Sequence, residues 1–253
     1  MNTKRTVLIT GATSGIGMAT AKKLAQDYRL ILCGRRQERL DELKKSLSSV
    51  TEVMTLNFDV RDKETVFQTI EQLPEEWKSI DVLINDAGNA HGLTTFDEAD
   101  LDDLDAMIDI NVKGLMYVSK AVLPYLKKSK NGHIINLSSI AGKEVYTNGA
   151  TYCASKAAVE SLSKGMRFDL LPYGIKVTNI APGAVETEFS LVRFKGDEEK
   201  SANVYRGYIP LVADDVADTI AYALNVPAHV QIADVTIFPR AQASGTTIYK
   251  NLD

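Results

Sequence analysis

Short apolar runs alternate along this chain with longer stretches in which apolar residues recur every three or four positions. The runs fall at 6–10, 30–33, 53–58, 82–85, 133–137, 176–181 and 235–239, rich in Val, Ile and Leu without strict alternation. Such runs suit strands of a sheet covered on both faces, where neither side of the strand meets water. The intervening stretches at 15–26, 37–48, 63–73, 101–126, 152–171 and 214–225 carry the helical period. Alternating strand and helix predict an α/β fold: a Rossmann-type doubly wound parallel sheet of about seven strands, with helices on both faces. No repeat, low-complexity stretch or Pro/Gly/Ser linker divides residues 1–253, so one domain is expected. The rhythm breaks at 190–208, where charges mix with isolated apolar residues; a long irregular insertion around 188–210 is expected to serve as a lid.

A single domain of 253 residues buries roughly three-quarters of its unfolded surface, ample for a core. Apolar content of 45% and charged content of 25% are ordinary for a globular protein, and a net charge of -4 argues against a nucleic-acid surface. No apolar run approaches the roughly 18–20 residues of a membrane span. The N-terminus turns into a strand pattern rather than a signal-peptide core. Cys33 and Cys153 have no metal or redox spacing, which points to reduced thiols and a cytoplasmic protein. Three scattered histidines, His91, His133 and His229, give no basis for a metal site.

Two groups of residues change this picture. Behind Val7-Leu8-Ile9 comes Thr10-Gly11-Ala12-Thr13-Ser14-Gly15-Ile16-Gly17, glycines placed where a strand hands over to a helix. Glycine there allows a tight turn and close backbone approach, and the helix N-terminus offers free N–H groups to a pyrophosphate. A glycine triplet alone equally describes a structural turn; the strand before and helix after favour the cradle. The second run ends at Arg35-Arg36, where an acidic residue would meet a ribose 2′-hydroxyl. A guanidinium fork suits a 2′-phosphate instead, so NADP is expected over NAD, with two solvated arginines as the plainer alternative.

The second group is Ser139, Tyr152 and Lys156. Tyr152 and Lys156 stand four apart and share one helix face, and no other tyrosine has a lysine four residues on. Acting as a base near neutrality asks a tyrosine to lower its pKa by roughly three units, about 4 kcal/mol. One positive charge at about 4 Å, in an effective dielectric of about 20, supplies that much, and Lys156 is placed to be that charge. Ser139 could then donate a hydrogen bond to the substrate oxygen as charge develops there.

Taken together with further segments, these residues resemble the short-chain dehydrogenase/reductase family over essentially the full length of the chain. The matching segments are the glycine motif, Asp59-Val60, Asn85-Asp86-Ala87-Gly88, Asn111, Ser139, Tyr152-x-x-x-Lys156 and Pro182-Gly183-x-Val185-x-Thr187. The resemblance implies a catalytic tetrad. In it Tyr152 is the general acid/base, Ser139 orients the substrate carbonyl, and Lys156 holds the nicotinamide ribose and lowers the tyrosine pKa. Asn111 anchors a water that relays protons from Lys156. It also implies cofactor contacts from Gly11, Thr13, Ser14, Gly15, Ile16 and Gly17, from Asp59-Val60 at the adenine, and from Asn85 to Gly88 along the cofactor. Pro182, Gly183, Val185 and Thr187 would lie at the nicotinamide. One departure is Asp86, where the family usually has a second asparagine; that puts a side-chain contact to the cofactor in question.

Residues 73–77, 188–197 and 227–230 are similar to the NADP-dependent 3-hydroxy acid dehydrogenases, which act on serine, allo-threonine and 3-hydroxyisobutyrate. Arg193 or Lys195 on the insertion is a candidate partner for a substrate carboxylate, against solvent, a cofactor phosphate or a neighbouring subunit. Other carbonyl substrates, and a non-catalytic NADP-sensing scaffold, are the alternatives. A homotetramer built on the helices at 101–126 and 152–171 is what the family implies. Cys153 reads as packing, the acidic residues of 97–109 as a helix start and solvated face, and His91 as site rim or surface.

Overall fold

The structure, a computed structural model, describes residues 4–251. In chain order its elements are β1 (Arg5–Thr10), α1 (Gly15–Leu24), β2 (Tyr28–Gly34), α2 (Gln37–Leu47), β3 (Val53–Asn57), α3 (Lys63–Glu71) and β4 (Val82–Asn85). Then follow α4 (Leu101–Ile108), α5 (Leu115–Leu126), β5 (His133–Leu137), α6 (Ala150–Leu170), β6 (Lys176–Pro182) and the short β7 (Val185–Glu186). The chain closes with α7 (Phe189–Arg193), α8 (Glu198–Tyr205), the short β8 (Leu211–Val212), α9 (Ala213–Asn225) and β9 (Asp234–Ile237).

Seven strands form one parallel sheet in the order β3-β2-β1-β4-β5-β6-β9. Strand order therefore reverses between β1 and β4, which pair with Thr10 opposite Asn85. Connections leaving these two strands diverge, and a crevice opens at their carboxyl ends. Val7, Leu8 and Ile9 in the central strand are each 0% exposed, because alternate side chains feed separate layers. Val7 and Ile9 belong to a cluster with Leu24 of α1, Leu40 of α2 and Ile220 of α9. Leu8 joins Ile70 of α3, and Val118 and Val122 of α5, on the other face. Burying each such side chain contributes about 1.5–3 kcal/mol, so the unbroken Val/Ile/Leu runs are explained by apolar cover on both sides.

The single helix expected over 101–126 is divided. Residues Asp109–Gly114 adopt a π-helical segment between α4 and α5. A widened turn of this kind leaves backbone groups poorly paired and re-aims its side chains, and such turns often mark functional positions. Asp100 caps α4, its side chain accepting from the Asp102 amide, and Asp109 pairs with Lys113 at 2.7 Å, so the acidic run starts and flanks this helix. His133 is buried and its Nε2 meets the Thr178 hydroxyl at 2.8 Å; burial pushes its pKa down to about 3, so the ring is neutral. Cys33 and Cys153 are both buried free thiols. Among the described residues, no helix is long and apolar enough to cross a membrane.

Candidate active site

A cleft of about 880 Å³ lies at the carboxyl ends of the strands, over the reversal between β1 and β4. The glycine loop forms one wall. Gly11 takes φ +69, and a Cβ there would come within 2.9 Å of the Ala87 backbone nitrogen, so the loop after β1 rests directly on the loop after β4. The Thr10 hydroxyl ties the same loops by accepting from the Asp86 and Ala87 amides, both at 3.1 Å. Ser14 at the head of α1 makes no side-chain cap. A helix N-terminus whose amides face a cleft, beneath a loop too close for any side chain, fits a dinucleotide pyrophosphate.

Three guanidinium groups gather beyond this loop. Arg36 donates from Nε and Nη2 to the Thr13 hydroxyl, from Nη2 to Ser14 Oγ at 2.7 Å, and from Nη1 to Glu188 at 3.1 Å. Arg39, one helical turn on, reaches the same carboxylate at 2.7 and 2.9 Å. Burial pushes the Glu188 carboxyl up, but Arg39 and Arg36 outweigh it and hold the group below the usual range. Arg35 turns the other way and meets Asp59 at 3.3 Å; Asp59 is also gripped by Arg61 at 2.7 Å. This basic cluster fits a 2′-phosphate, and it includes Arg39, which the sequence reading missed although the Arg35-Arg36-x-x-Arg39 spacing was there to find.

On the opposite side stand Ser139, Tyr152 and Lys156. Ser139 follows β5, while the other two share the buried face of α6. Lys156 is 7% exposed and donates from Nζ to the Leu137 carbonyl at 2.9 Å. Burial pushes its pKa down to about 8, and the Asp86 charge opposes that fall. Tyr152 is equally enclosed, with Ser139 within hydrogen-bonding reach of its hydroxyl.

Here the structure corrects an expectation. Burial, with Tyr146 adding to it, raises the Tyr152 pKa above the ordinary phenol value. The Lys156 ammonium stands 6.0 Å from the Tyr152 ring centroid, and the Arg193 guanidinium carbon is nearer at 5.0 Å. Arg193 and the Ser139 hydrogen bond are what lower the phenol pKa, and burial outweighs both.

Asn111 projects from the π-helical segment and is buried behind the cleft. Its Oδ1 accepts from the Asn89 amide at 2.9 Å, and its Nδ2 donates to the Asn89 carbonyl at 2.8 Å and to Ser155 Oγ at 3.0 Å. The Asn111 Oδ1 and the Lys156 ammonium converge on Gly88, lying 2.8 and 3.4 Å from where a Cβ would sit. Asp86 extends toward the glycine loop, where the Gly17 amide donates to its carboxyl. Burial pushes this acid up to about 7, against the pull of Lys156 and of that hydrogen bond.

The expected irregular insertion is folded into α7 and α8, joined by a turn at Lys195-Gly196, with β7 and β8 paired at its base. Thr187 packs over Gly15, so the segment crosses the mouth of the cleft above the glycine loop. Phe189 tilts against Tyr152 with ring centroids 5.6 Å apart. Arg193 lies among the Tyr146, Tyr152 and Phe189 rings, donates to the Tyr146 hydroxyl at 2.7 Å, and keeps a buried Nε without a partner. Lys195 pairs with Asp103 at 2.8 Å and, unlike Arg193, does not line the cleft.

Gly11, Thr13, Ser14, Gly15, Ile16, Arg35, Arg36, Asp59 and Val60 line the cleft, as do Asp86, Ala87, Gly88, Ser139, Tyr152 and Lys156. Pro182, Gly183, Val185, Thr187 and Arg193 complete that wall. Gly17 and Asn111 lie behind it. Asn85 departs from its expected place along the cofactor: its amide points inside the fold, donating to Ser119 at 3.0 Å and Asn136 at 2.9 Å. His91 lines a separate small crevice on the far side of Tyr152. Tyr146 had no motif to betray it and reaches the cleft only through tertiary packing, while Glu188 and Phe189 belong to the expected insertion.

Comparisons with known proteins agree with this geometry. The family model for short chain dehydrogenase matches residues 5–197. A "NADP-dependent 3-hydroxy acid dehydrogenase" of Schizosaccharomyces pombe is 41% identical over 250 residues, 97% of this chain and 96% of the relative. "Sulfoacetaldehyde reductase 2" of Chromohalobacter salexigens is 45% identical over 239 residues, 94% of this chain and 95% of the relative. Among solved structures, the closed form of a serine dehydrogenase complexed with NADP+ superposes with a TM-score of 0.90 at 40% identity. That match covers 97% of this chain and 99% of that one.

Proposed function

The chain belongs to the short-chain dehydrogenase family, and we propose on that premise that it oxidises the 3-hydroxyl of small 3-hydroxy acids, or reduces the matching carbonyl. It is an NADP-dependent oxidoreductase acting on CH–OH groups. The bound cofactor supplies the hydride acceptor or donor. Ser139 orients the reacting oxygen, and the Tyr152 hydroxyl exchanges its proton. Burial keeps that phenol protonated, the state a proton donor needs when a carbonyl is reduced. In the oxidising direction the phenol must first release its proton, which the cationic Arg193 favours. Lys156 holds the ribose, and Asn111 keeps the Asn89 backbone and the lysine pocket in register. Arg36 and Arg39 take the 2′-phosphate, and the segment over 188–210 covers the bound substrate.

One observation carries the substrate class: Arg193 sits 5.0 Å from the Tyr152 ring centroid with an unpartnered buried Nε. A half-buried cation beside the reacting group favours a substrate carrying an anion. A 3-oxo acid and sulfoacetaldehyde share that design, one methylene separating carboxylate or sulfonate from the reacting carbon, so both relatives' named substrates suit one arginine. Replacing Arg193 by Ala removes a charge-assisted hydrogen bond of about 1.5–3 kcal/mol and should raise the KM for L-serine about ten- to a hundredfold. KM for a neutral carbonyl substrate should move far less. Equal effects on both would remove the anion clamp.

We assign the protein to the cytoplasm and to a homotetramer. Exposed Phe168 and Leu171 at the end of α6, 79% and 73% accessible, offer an apolar edge for a subunit contact. A monomer by light scattering would reject the tetramer.

A further inference from the structure

We propose that Gln242 is a positioning residue for the nicotinamide: its side chain fixes the turn after β6 against which that ring lies. The inference rests on the nicotinamide lying against residues 182–187, as the family resemblance implies.

Gln242 belongs to a stretch after β9 that no motif marks. The chain doubles back beyond Pro239: the Gln242 amide donates to the Pro239 carbonyl at 2.9 Å, the Ala243 amide to the Thr247 carbonyl at 2.9 Å, and the Tyr249 amide to the Ala241 carbonyl at 2.8 Å. This narrow hairpin sets Gln242 opposite Ile248 and brings Gln242, Gly245, Thr246 and Ile248 to the wall of the cleft. The Gln242 side chain is buried with both ends of its amide engaged. Nε2 donates to the Ser244 carbonyl at 2.9 Å, and Oε1 accepts from the Ala184 amide at 2.8 Å. A carbonyl on one side and an N–H on the other allow the amide one orientation only.

Ala184 stands in the turn between β6 and β7. Gly183 permits the approach, because a Cβ there would collide with Gln242 Oε1 and sit 2.8 Å from Phe238 Cδ1. The turn is then held at three successive points. The Gly183 amide donates to the Ile237 carbonyl at 2.8 Å, the Ala184 amide to Gln242, and the Ala184 carbonyl accepts from the Leu211 amide at 3.0 Å. The first and last are backbone bonds and do not depend on side-chain identity. The middle one exists only because a glutamine stands at 242. Leu211 opens β8, which pairs with β7 at the base of the segment over the cleft, so this bond also joins the turn to the cover.

Without the Gln242 oxygen the Ala184 amide loses its protein partner, and the peptide gains by turning toward water. A turn that must be restored when the nicotinamide arrives lowers the affinity for that half of the cofactor alone. The adenosine half is insulated: Arg36 and Arg39 bond to Thr13, Ser14 and Glu188, none of them in this hairpin.

Isothermal titration of the full chain with NADP+ and with 2′-phospho-ADP-ribose, the same cofactor without its nicotinamide, tests the inference. Gln242→Met keeps the length of the side chain but removes the amide oxygen, leaving only a weak sulfur acceptor. It should weaken NADP+ about five- to fiftyfold and leave 2′-phospho-ADP-ribose within a factor of about two. Gln242→Glu keeps an oxygen for the Ala184 amide and should bind NADP+ more tightly than Gln242→Met does. Equal losses for the two ligands, unchanged NADP+ affinity in Gln242→Met, or a Glu variant no better than the Met variant each overturn the proposal. Thr187→Val separates the inference from the reading beneath it. If that variant loses NADP+ selectively while Gln242→Met does not, the nicotinamide lies against 182–187 and Gln242 does not position it. If neither variant distinguishes the two ligands, the placement of the nicotinamide fails and the inference with it.

Discussion

Asp86 provides the sharpest test of the site's electrostatics, because it stands where the family usually places asparagine. Asp86→Asn keeps the shape, and the amide oxygen can still accept from the Gly17 amide; only the charge facing Lys156 is lost. Burial holds Lys156 at about 8 while Asp86 pulls it upward, and Asp86 itself is pushed up to about 7 by burial. The carboxylate therefore exists mainly above pH 7, within the range where the ammonium titrates. A neighbouring opposite charge moves a pKa by about one to three units. Taking the lower end, the variant's lysine falls by about one unit, equal to about 1.4 kcal/mol. At pH 6 both proteins keep about nine-tenths or more of the ammonium. At pH 8 the wild type keeps about half and the variant about a tenth, a difference of roughly fivefold.

The measurement is kcat/KM for L-serine between pH 6 and pH 9 with NADP saturating. The two profiles should coincide at the acid end and separate as pH rises, the variant's alkaline limb coming in earlier. Parallel profiles, or a limb displaced to higher pH, would show that Asp86 does not hold the charge on Lys156.

Tyr152→Phe should lower turnover by about a hundred- to ten-thousandfold while NADPH binding by fluorescence titration stays within a factor of about two; substantial residual activity would place the proton elsewhere. A Cβ on Gly17 would sit 2.5 Å from the Gly11 carbonyl oxygen and 2.7 Å from Asp86 Oδ2. Gly17→Ala should therefore cost about 1–3 kcal/mol, lower Tm by about 2–12 °C and weaken NADP binding; an unchanged melting curve would contradict that packing. Asn111→Ala strands the half-buried amide and carbonyl of Asn89, and denaturant titration should register a loss of about 1–3 kcal/mol. A loss below about 0.5 kcal/mol would mean that solvent already satisfies those groups.

Much of the fold was legible because the central strands carry unbroken apolar runs. Runs such as Val7-Leu8-Ile9 and Ile134-Ile135 have no polar face to offer water, so only a sheet covered on both sides accommodates them. The helix over 101–126 misled because its periodic pattern continues through the Asp109–Gly114 turn. A π-helical turn changes the spacing by one residue, and its compensation, the Asn111 bonds to Asn89, lies 22 residues away in sequence. Asn85 misled for a similar reason: its polar character suits a cofactor contact, yet it is spent on Ser119 and Asn136 inside the fold.

By itself the sequence determined the parallel α/β sheet, the glycine cradle, the arginines at the tip of β2 and the pairing of Tyr152 with Lys156. Each of these follows from residue types at short, regular spacing, where local geometry leaves few choices. Only the tertiary structure decided which charges act on which groups. Arg193 rather than Lys156 is the nearer cation to the Tyr152 ring, Lys195 pairs with Asp103, and Glu188 bridges to Arg36 and Arg39. Glu188 lies 152 residues from Arg36 along the chain. Electrostatic interaction depends on separation and burial in space, and spacing along the chain carries neither.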